Sequence, residues 1–80
     1  MLNIKVLGSG CSKCTKTAES IAAIAKEKGV SIALVKETNP EVIMDYQVMS
    51  TPAVVIDGKL VHWGSIPHRD MIEAWLGSHI

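Results

Sequence analysis

Cys11 and Cys14 are the only thiols in this chain, and two residues separate them. They lie in Gly8-Ser9-Gly10-Cys11-Ser12-Lys13-Cys14, where an apolar run from Leu2 to Leu7 gives way to a helix-period pattern beginning near Ser12. At the amino end of a helix, backbone N–H groups converge and the helix dipole favours an anion. That position stabilises thiolate over thiol, and the thiolate is both the sulfur nucleophile and the metal ligand. The spacing therefore leaves two uses open: disulfide exchange, or capture of a soft metal by two thiolates.

Composition sets the context for that pair. The chain has 80 residues, 48% of them hydrophobic, with 8 basic and 8 acidic side chains and no formal net charge. It is expected to form one domain over residues 1–80, near the lower end of what folds without staples but with ample apolar material for a core. There is no basic block, and Tyr46, Trp63 and Trp75 are the only members of the Phe/Tyr/Trp set, so nucleic acid is not an expected partner. The opening residues Met1 to Lys5 lack a secretory n-region and h-region, and no apolar run approaches membrane-spanning length. A soluble cytoplasmic protein without a membrane partner is expected. In that compartment thiols stay largely reduced, so the pair reads as redox-active or metal-binding rather than as a static staple. A bridge between them would close a loop too short to contribute much entropy.

The elements that must position the cysteines follow from periodicity and punctuation. Leu2 to Leu7 is a β-rich, mostly apolar run interrupted by Lys5, which is read as snorkelling from a strand end. Gly8 and Gly10 free the backbone for a sharp turn, and the Gly8-Ser9-Gly10 turn keeps side-chain bulk away from Cys11. From Ser12 the positions Cys14, Ala18, Ile21, Ala22 and Ala25 are expected to share one helical face, and Gly29 after Lys26-Glu27-Lys28 stops the helix. Ser31 to Lys36 suits a second strand. Asn39 can cap a short helix with Pro40 at its first position, although Thr38 and Glu41 also match a capping box. Val42, Ile43 and Tyr46 give that helix something to bury. Ala53 to Ile56 reads as a third strand, Asp57-Gly58 as a hairpin turn, and Lys59 to His62 as a fourth strand. A last helix after Pro67 carries Met71, Ile72, Trp75 and Leu76 on one face and ends at Gly77.

The order β-α-β-α-β-β-α makes an α/β domain with a mixed, four-stranded sheet flanked by three helices. Crossover helices after the first two strands imply parallel pairing at both, and the hairpin adds an antiparallel strand.

A CxxC opening the first helix of a βαβ unit is a thioredoxin-like signal. With Ser50-Thr51-Pro52, Asp57-Gly58 and Gly64 at consistent spacing, the whole chain resembles the minimal thioredoxin/glutaredoxin fold, and within it the very small prokaryotic thioredoxins described as redox-active disulfide proteins. The resemblance implies that Cys11 is the exposed nucleophile and Cys14 the resolving thiol, which agrees with Cys14 lying on the apolar helical stripe. It also implies a cis bond before Pro52, facing the cysteines, with the Thr51 backbone turned outward to pair with an extended substrate segment.

The chain departs from both larger relatives of that fold. Thioredoxins usually carry Trp before the first cysteine and Gly-Pro within the pair, where Gly10 and Ser12-Lys13 stand here, and their buried acid falls on Lys5. Glutaredoxins typically carry Pro-Tyr within the pair and a paired glycine before the last helix. Ser12-Lys13 and Gly64-Ser65 match neither, so the residues do not support a glutathione site. Lys13 reads equally as a cation favouring the Cys11 thiolate and as a solvated surface lysine. His62, His68 and His79 lack ligand spacing with the cysteines and read as surface histidines. Trp75 reads as a core aromatic; Trp63 is left open between core cover and surface.

The expected activity is thiol–disulfide oxidoreduction through Cys11 and Cys14, within electron transport and cell redox homeostasis. Gly10, Ser12, Lys13, Thr51 and Pro52 are expected to contact substrate, with no bound cofactor or metal. The partners are a disulfide-containing protein or small molecule and an electron donor, either a reductase or a low-molecular-weight thiol. The alternative from another class is a carrier of copper, zinc or an arsenic species. Metal carriers with a CxxC near a helix start end on a strand rather than a helix, and Pro52 has no role in them.

Overall fold

A computed structural model of the chain describes residues 2–8, 12–48 and 50–77. The elements are β1 (Leu2–Leu7), α1 (Ser12–Lys28), β2 (Ile32–Glu37), α2 (Pro40–Asp45), β3 (Ala53–Ile56), β4 (Lys59–Trp63) and α3 (Arg69–Gly77). The strands form one sheet in the order β2-β1-β3-β4, so the first strand made is central and paired on both sides.

β1 and β2 run parallel, with Ile4 opposite Leu34. β3 runs antiparallel to β1, with Leu7 opposite Ala53 and Ile4 opposite Ile56. Here the expectation of a second parallel crossover is corrected. A six-residue helix such as α2 rises only about 9 Å, whereas a strand the length of β2 extends about 20 Å. The helix cannot carry the chain back to the far end of the sheet. The chain instead crosses the end where β2 stops and enters β3 from there. β4 then returns antiparallel through Asp57 and Gly58, whose φ angles of 50° and 84° are those of a tight hairpin turn. A register shift between Val54 and Val55 bends that last pair.

Leu2, Ile4, Val6, Val54 and Ile56 meet Ala18, Ile21, Ile24 and Ala25 of α1 and Ile72 and Leu76 of α3 on one side of the sheet. Full burial of each large aliphatic side chain there contributes about 1.5–3 kcal/mol. Ala22, expected on the packed stripe, is exposed, and Ile24 takes its place. On the other side Leu7, Ala53 and Val55 are covered by Ile43, Tyr46, Val48 and Leu60. Lys5 lies in mid-strand on that side, half-buried between Val35 and Val55, rather than at a strand end.

The helix ends use the chain's own polar groups. Asn39, not Thr38, caps α2, its side chain accepting from the Glu41 N–H at 3.0 Å. At the end of α1, the Gly29 N–H donates to Lys26 and the Val30 N–H to Ala25. Arg69 at the start of α3 forms a bidentate pair with Glu27 near the end of α1, both contacts at 3.1 Å, and reaches Glu73 at 2.7 Å. The guanidinium, through its hydrogen bonds and its charge, holds the Glu27 carboxyl below its ordinary range, while the two carboxylates raise Arg69. No helix of the described residues is long and apolar enough to cross a membrane.

Candidate functional site

The site is a consequence of strand register. Because Leu7 stands opposite both Glu37 and Ala53, the residues following β1 and those preceding β3 meet at one end of the central strand. Gly8 continues β1 by donating its N–H to the Glu37 carbonyl at 3.0 Å. Thr51 and Pro52 arrive from the other direction, joined by a cis peptide bond. Pro52 is buried and Thr51 exposed.

Cys14 enters this junction from the first turns of α1. It is 4% exposed and disulfide-bonded. Its sulfur occupies the space that a side chain on Gly8 would need. A β-carbon built there would overlap Sγ, and would lie 3.1 Å from the Cys14 β-carbon and 3.6 Å from that of Thr51. Gly8 is therefore required for close approach rather than for a turn, which corrects the sequence-based reading of its role.

Among the described residues no acidic side chain lies in the first turn of α1; Ser12 and Lys13 are exposed there. The aligned backbone dipoles of that helix start and the Lys13 ammonium give it a positive potential, the environment that favours a thiolate. One turn further on, the fully buried Thr17 donates its hydroxyl to the Lys13 carbonyl at 2.8 Å. This bond ties the segment between the cysteines to the packed face of the helix. Gly10 and Cys11, expected at the site, lie outside the described residues.

The far wall comes from β4 and the chain after it. The Gly64 N–H donates to the Pro52 carbonyl at 3.0 Å, and Trp63 stands opposite Ala53 in the ladder. Trp63 is an exposed aromatic at 57%, which decides the alternative left by the sequence. Trp75 is partly buried and packs against the larger core. His62, read as a surface histidine, is half-buried: its Nε2 donates to the Ser65 carbonyl at 3.0 Å and its ring lies 6.2 Å from that of Trp75. His68 is exposed; His79 lies outside the described residues. Among the described residues, no three His, Cys, Asp or Glu side chains gather as a metal-binding group.

The sequence-predicted residues Ser12, Lys13, Cys14, Thr51 and Pro52 thus converge at one end of β1. Sequence reasoning missed the contact of Gly8 with Cys14 and the pairing of Gly64 with Pro52. Only the glycine identities hinted at either.

Comparison with known proteins agrees with this geometry. A family model described as a thioredoxin domain matches residues 2–77. A thioredoxin of Methanocaldococcus jannaschii is 34% identical over 80 residues, covering 100% of this chain and 92% of that protein. A thioredoxin of Methanothermobacter thermautotrophicus is 23% identical over 73 residues, covering 91% and 95% respectively. Among solved structures, chloroplastic thioredoxin z superposes with a TM-score of 0.74 at 18% identity, over 98% of this chain and 77% of that one. Mitochondrial thioredoxin 3 of Saccharomyces cerevisiae gives 0.68 at 14% identity, over 96% and 77%. From the family model over residues 2–77 and a relative 34% identical along the whole chain, this chain belongs to the thioredoxin family.

Proposed function

We propose that the chain is a thiol–disulfide oxidoreductase cycling between the dithiol and disulfide of Cys11 and Cys14. Family membership supports that chemistry in general terms. In the proposed cycle the Cys11 thiolate attacks one sulfur of a substrate disulfide. A mixed disulfide forms and the other substrate sulfur leaves as a thiolate, to be protonated by solvent. The Cys14 thiolate then attacks the Cys11 sulfur and releases the second substrate thiol. Two electrons pass to the substrate, and the Cys11–Cys14 disulfide remains. A reductase or a low-molecular-weight thiol restores the dithiol.

The observation that carries this assignment is the confinement of Cys14, 4% exposed and packed against Gly8. A sulfur so enclosed is poorly placed to attack an external disulfide and well placed to resolve one held next to it. The substrate segment lies against the Thr51 backbone and Pro52 in this reading, with Gly10, Ser12 and Lys13 on its other side, and the protein works in the cytoplasm.

Reduction of insulin disulfides with dithiothreitol as donor tests the reading, run beside titration of the reduced protein with Cu(I) and Zn(II). Catalysed reduction that needs Cys11 is the expected result. No turnover combined with tight stoichiometric metal binding would establish the carrier reading in its place.

A further inference from the structure

We propose that His62 is a positioning residue: its imidazole holds the turn after β4 in place beside the Thr51–Pro52 segment, and so sets the gap into which a polypeptide substrate fits. This inference rests on the oxidoreductase reading and adds to it a residue that acts on substrate only through the turn. Residue 62 stands opposite Val54, a member of the core shared with α1 and α3, so an aliphatic side chain would suit its place in β4. A half-buried histidine occupies it instead. Its ring lies beside Trp75 of α3, with centroids 6.2 Å apart and planes tilted by 51°. Its Nε2 is 3.0 Å from the Ser65 carbonyl and 3.2 Å from the Ser65 hydroxyl. A carbonyl oxygen only accepts, so Nε2 carries the proton. That proton is committed, and the same nitrogen is not a base toward the hydroxyl. The pair is therefore a tether rather than a Ser–His nucleophile.

What the tether holds bears on the site. The Gly64 N–H donates to the Pro52 carbonyl and so extends the pairing of β3 with β4. Gly64 then turns the chain out of the sheet with a φ of 88°, and a side chain there would meet the Ser50 β-carbon at 3.8 Å. The turn thus lies against the residue that leads into Thr51. Among the described residues, no backbone hydrogen bond ties Ser65, Ile66 or Pro67 to the sheet. The His62–Ser65 contact spans that interval. Its donor is mounted on a strand and its ring is packed beside a helix, so the N–H is oriented before any ligand arrives. A substrate segment lying along Thr51 meets a turn already held at one distance, and loses less of its binding free energy to ordering that turn.

The test compares a symmetric peptide disulfide with several residues in each arm, which can lie along Thr51, and hydroxyethyl disulfide, which has no backbone to do so. Turnover of each is measured with the full chain and dithiothreitol for wild type, His62→Leu and His62→Gln, and uncatalysed exchange is subtracted. His62→Leu is expected to raise KM for the peptide by about threefold to tenfold, the scale of one hydrogen bond, with kcat and the turnover of hydroxyethyl disulfide within about twofold of wild type. His62→Gln keeps an N–H donor on a side chain of similar reach, and should recover most of the lost KM. A loss shared equally by both disulfides, an unchanged KM in His62→Leu, or no recovery in His62→Gln would overturn the tether while leaving the oxidoreductase reading intact. Failure of the wild type to reduce either disulfide would overturn both. A measurement on the wild type alone guards against poor folding of a variant. Long-range proton–nitrogen spectra of the imidazole should place its proton on Nε2, and a ring protonated at Nδ1 alone would equally overturn the tether.

Discussion

The α-carbon of Gly8 and the sulfur of Cys14 are packed so closely that no methyl group fits between them. Gly8 is fixed from behind by its hydrogen bond to Glu37, and Cys14 belongs to the packed face of α1, so neither partner retreats easily. Gly8→Ala is expected to destabilise the fold by about 1–3 kcal/mol, the usual cost of overpacking. Urea unfolding of wild type and variant measures it, and an unchanged midpoint would mean that the junction yields.

Confinement of one sulfur predicts different fates for the two cysteine variants. Cys14→Ser should accumulate a stable mixed disulfide with a peptide disulfide, because the group that resolves it is gone. Cys11→Ser should form little adduct, because Cys14 is enclosed. Intact-mass spectrometry under non-reducing conditions distinguishes the two. Equal labelling of both would contradict the assignment of roles.

The hairpin turn isolates a pure backbone effect. Gly58 has a φ of 84°, and nothing lies within 4 Å of where its side chain would be. Gly58→Ala should therefore cost about 1–2 kcal/mol from left-handed backbone alone. The denaturation midpoint should fall with the slope unchanged.

Ile21 is fully buried between α1 and the sheet. Ile21→Ala should cost about 2–5 kcal/mol, against a total of roughly 4–12 kcal/mol for a domain of this length. Calorimetry should find the variant only marginally folded at ordinary temperatures.

The Glu27–Arg69 pair sets a pH dependence whose sign follows from the lowered Glu27 carboxyl. Its folded-state pKa lies below the ordinary 4.5, so its contribution to stability is present above that value and is lost as pH falls through the folded one. Both side chains are more than half exposed, so the contribution is small and shrinks with added salt. The wild type should lose slightly more stability than Glu27→Gln between pH 5 and roughly pH 3, as followed by thermal unfolding at low ionic strength.

Much of the fold was legible because local signals sufficed. The apolar runs, the Asp57-Gly58 turn, the Asn39-Pro40 cap and the stop at Gly29 each act within a few residues. The direction of β3 was not legible, since it depends on whether six residues of helix can cross a whole strand. Ala22 and Ile24 exchanged places because a helical face drawn from one end does not say where α3 will lie against it. At the site, Cys14 could be named from its type and spacing, and Thr51 and Pro52 from the family resemblance. The need for glycine at position 8 could not, because the atom that fills its space comes from another element. Trp63 remained ambiguous for a similar reason: its burial depends on how much of the sheet a short α2 leaves uncovered.

The central position of β1 has a bearing on how the chain emerges during synthesis. Its first partner, β2, follows after one helix, but its second, β3, is made in the latter half of the sequence. Until that strand arrives, Gly8 and Cys14 exist without the Thr51 side of their enclosure. A nascent chain halted before Thr51 thus bears Gly8 and Cys14 but lacks that side of their enclosure. The packing around the Cys14 sulfur is complete only once the residues leading into β3 have been made.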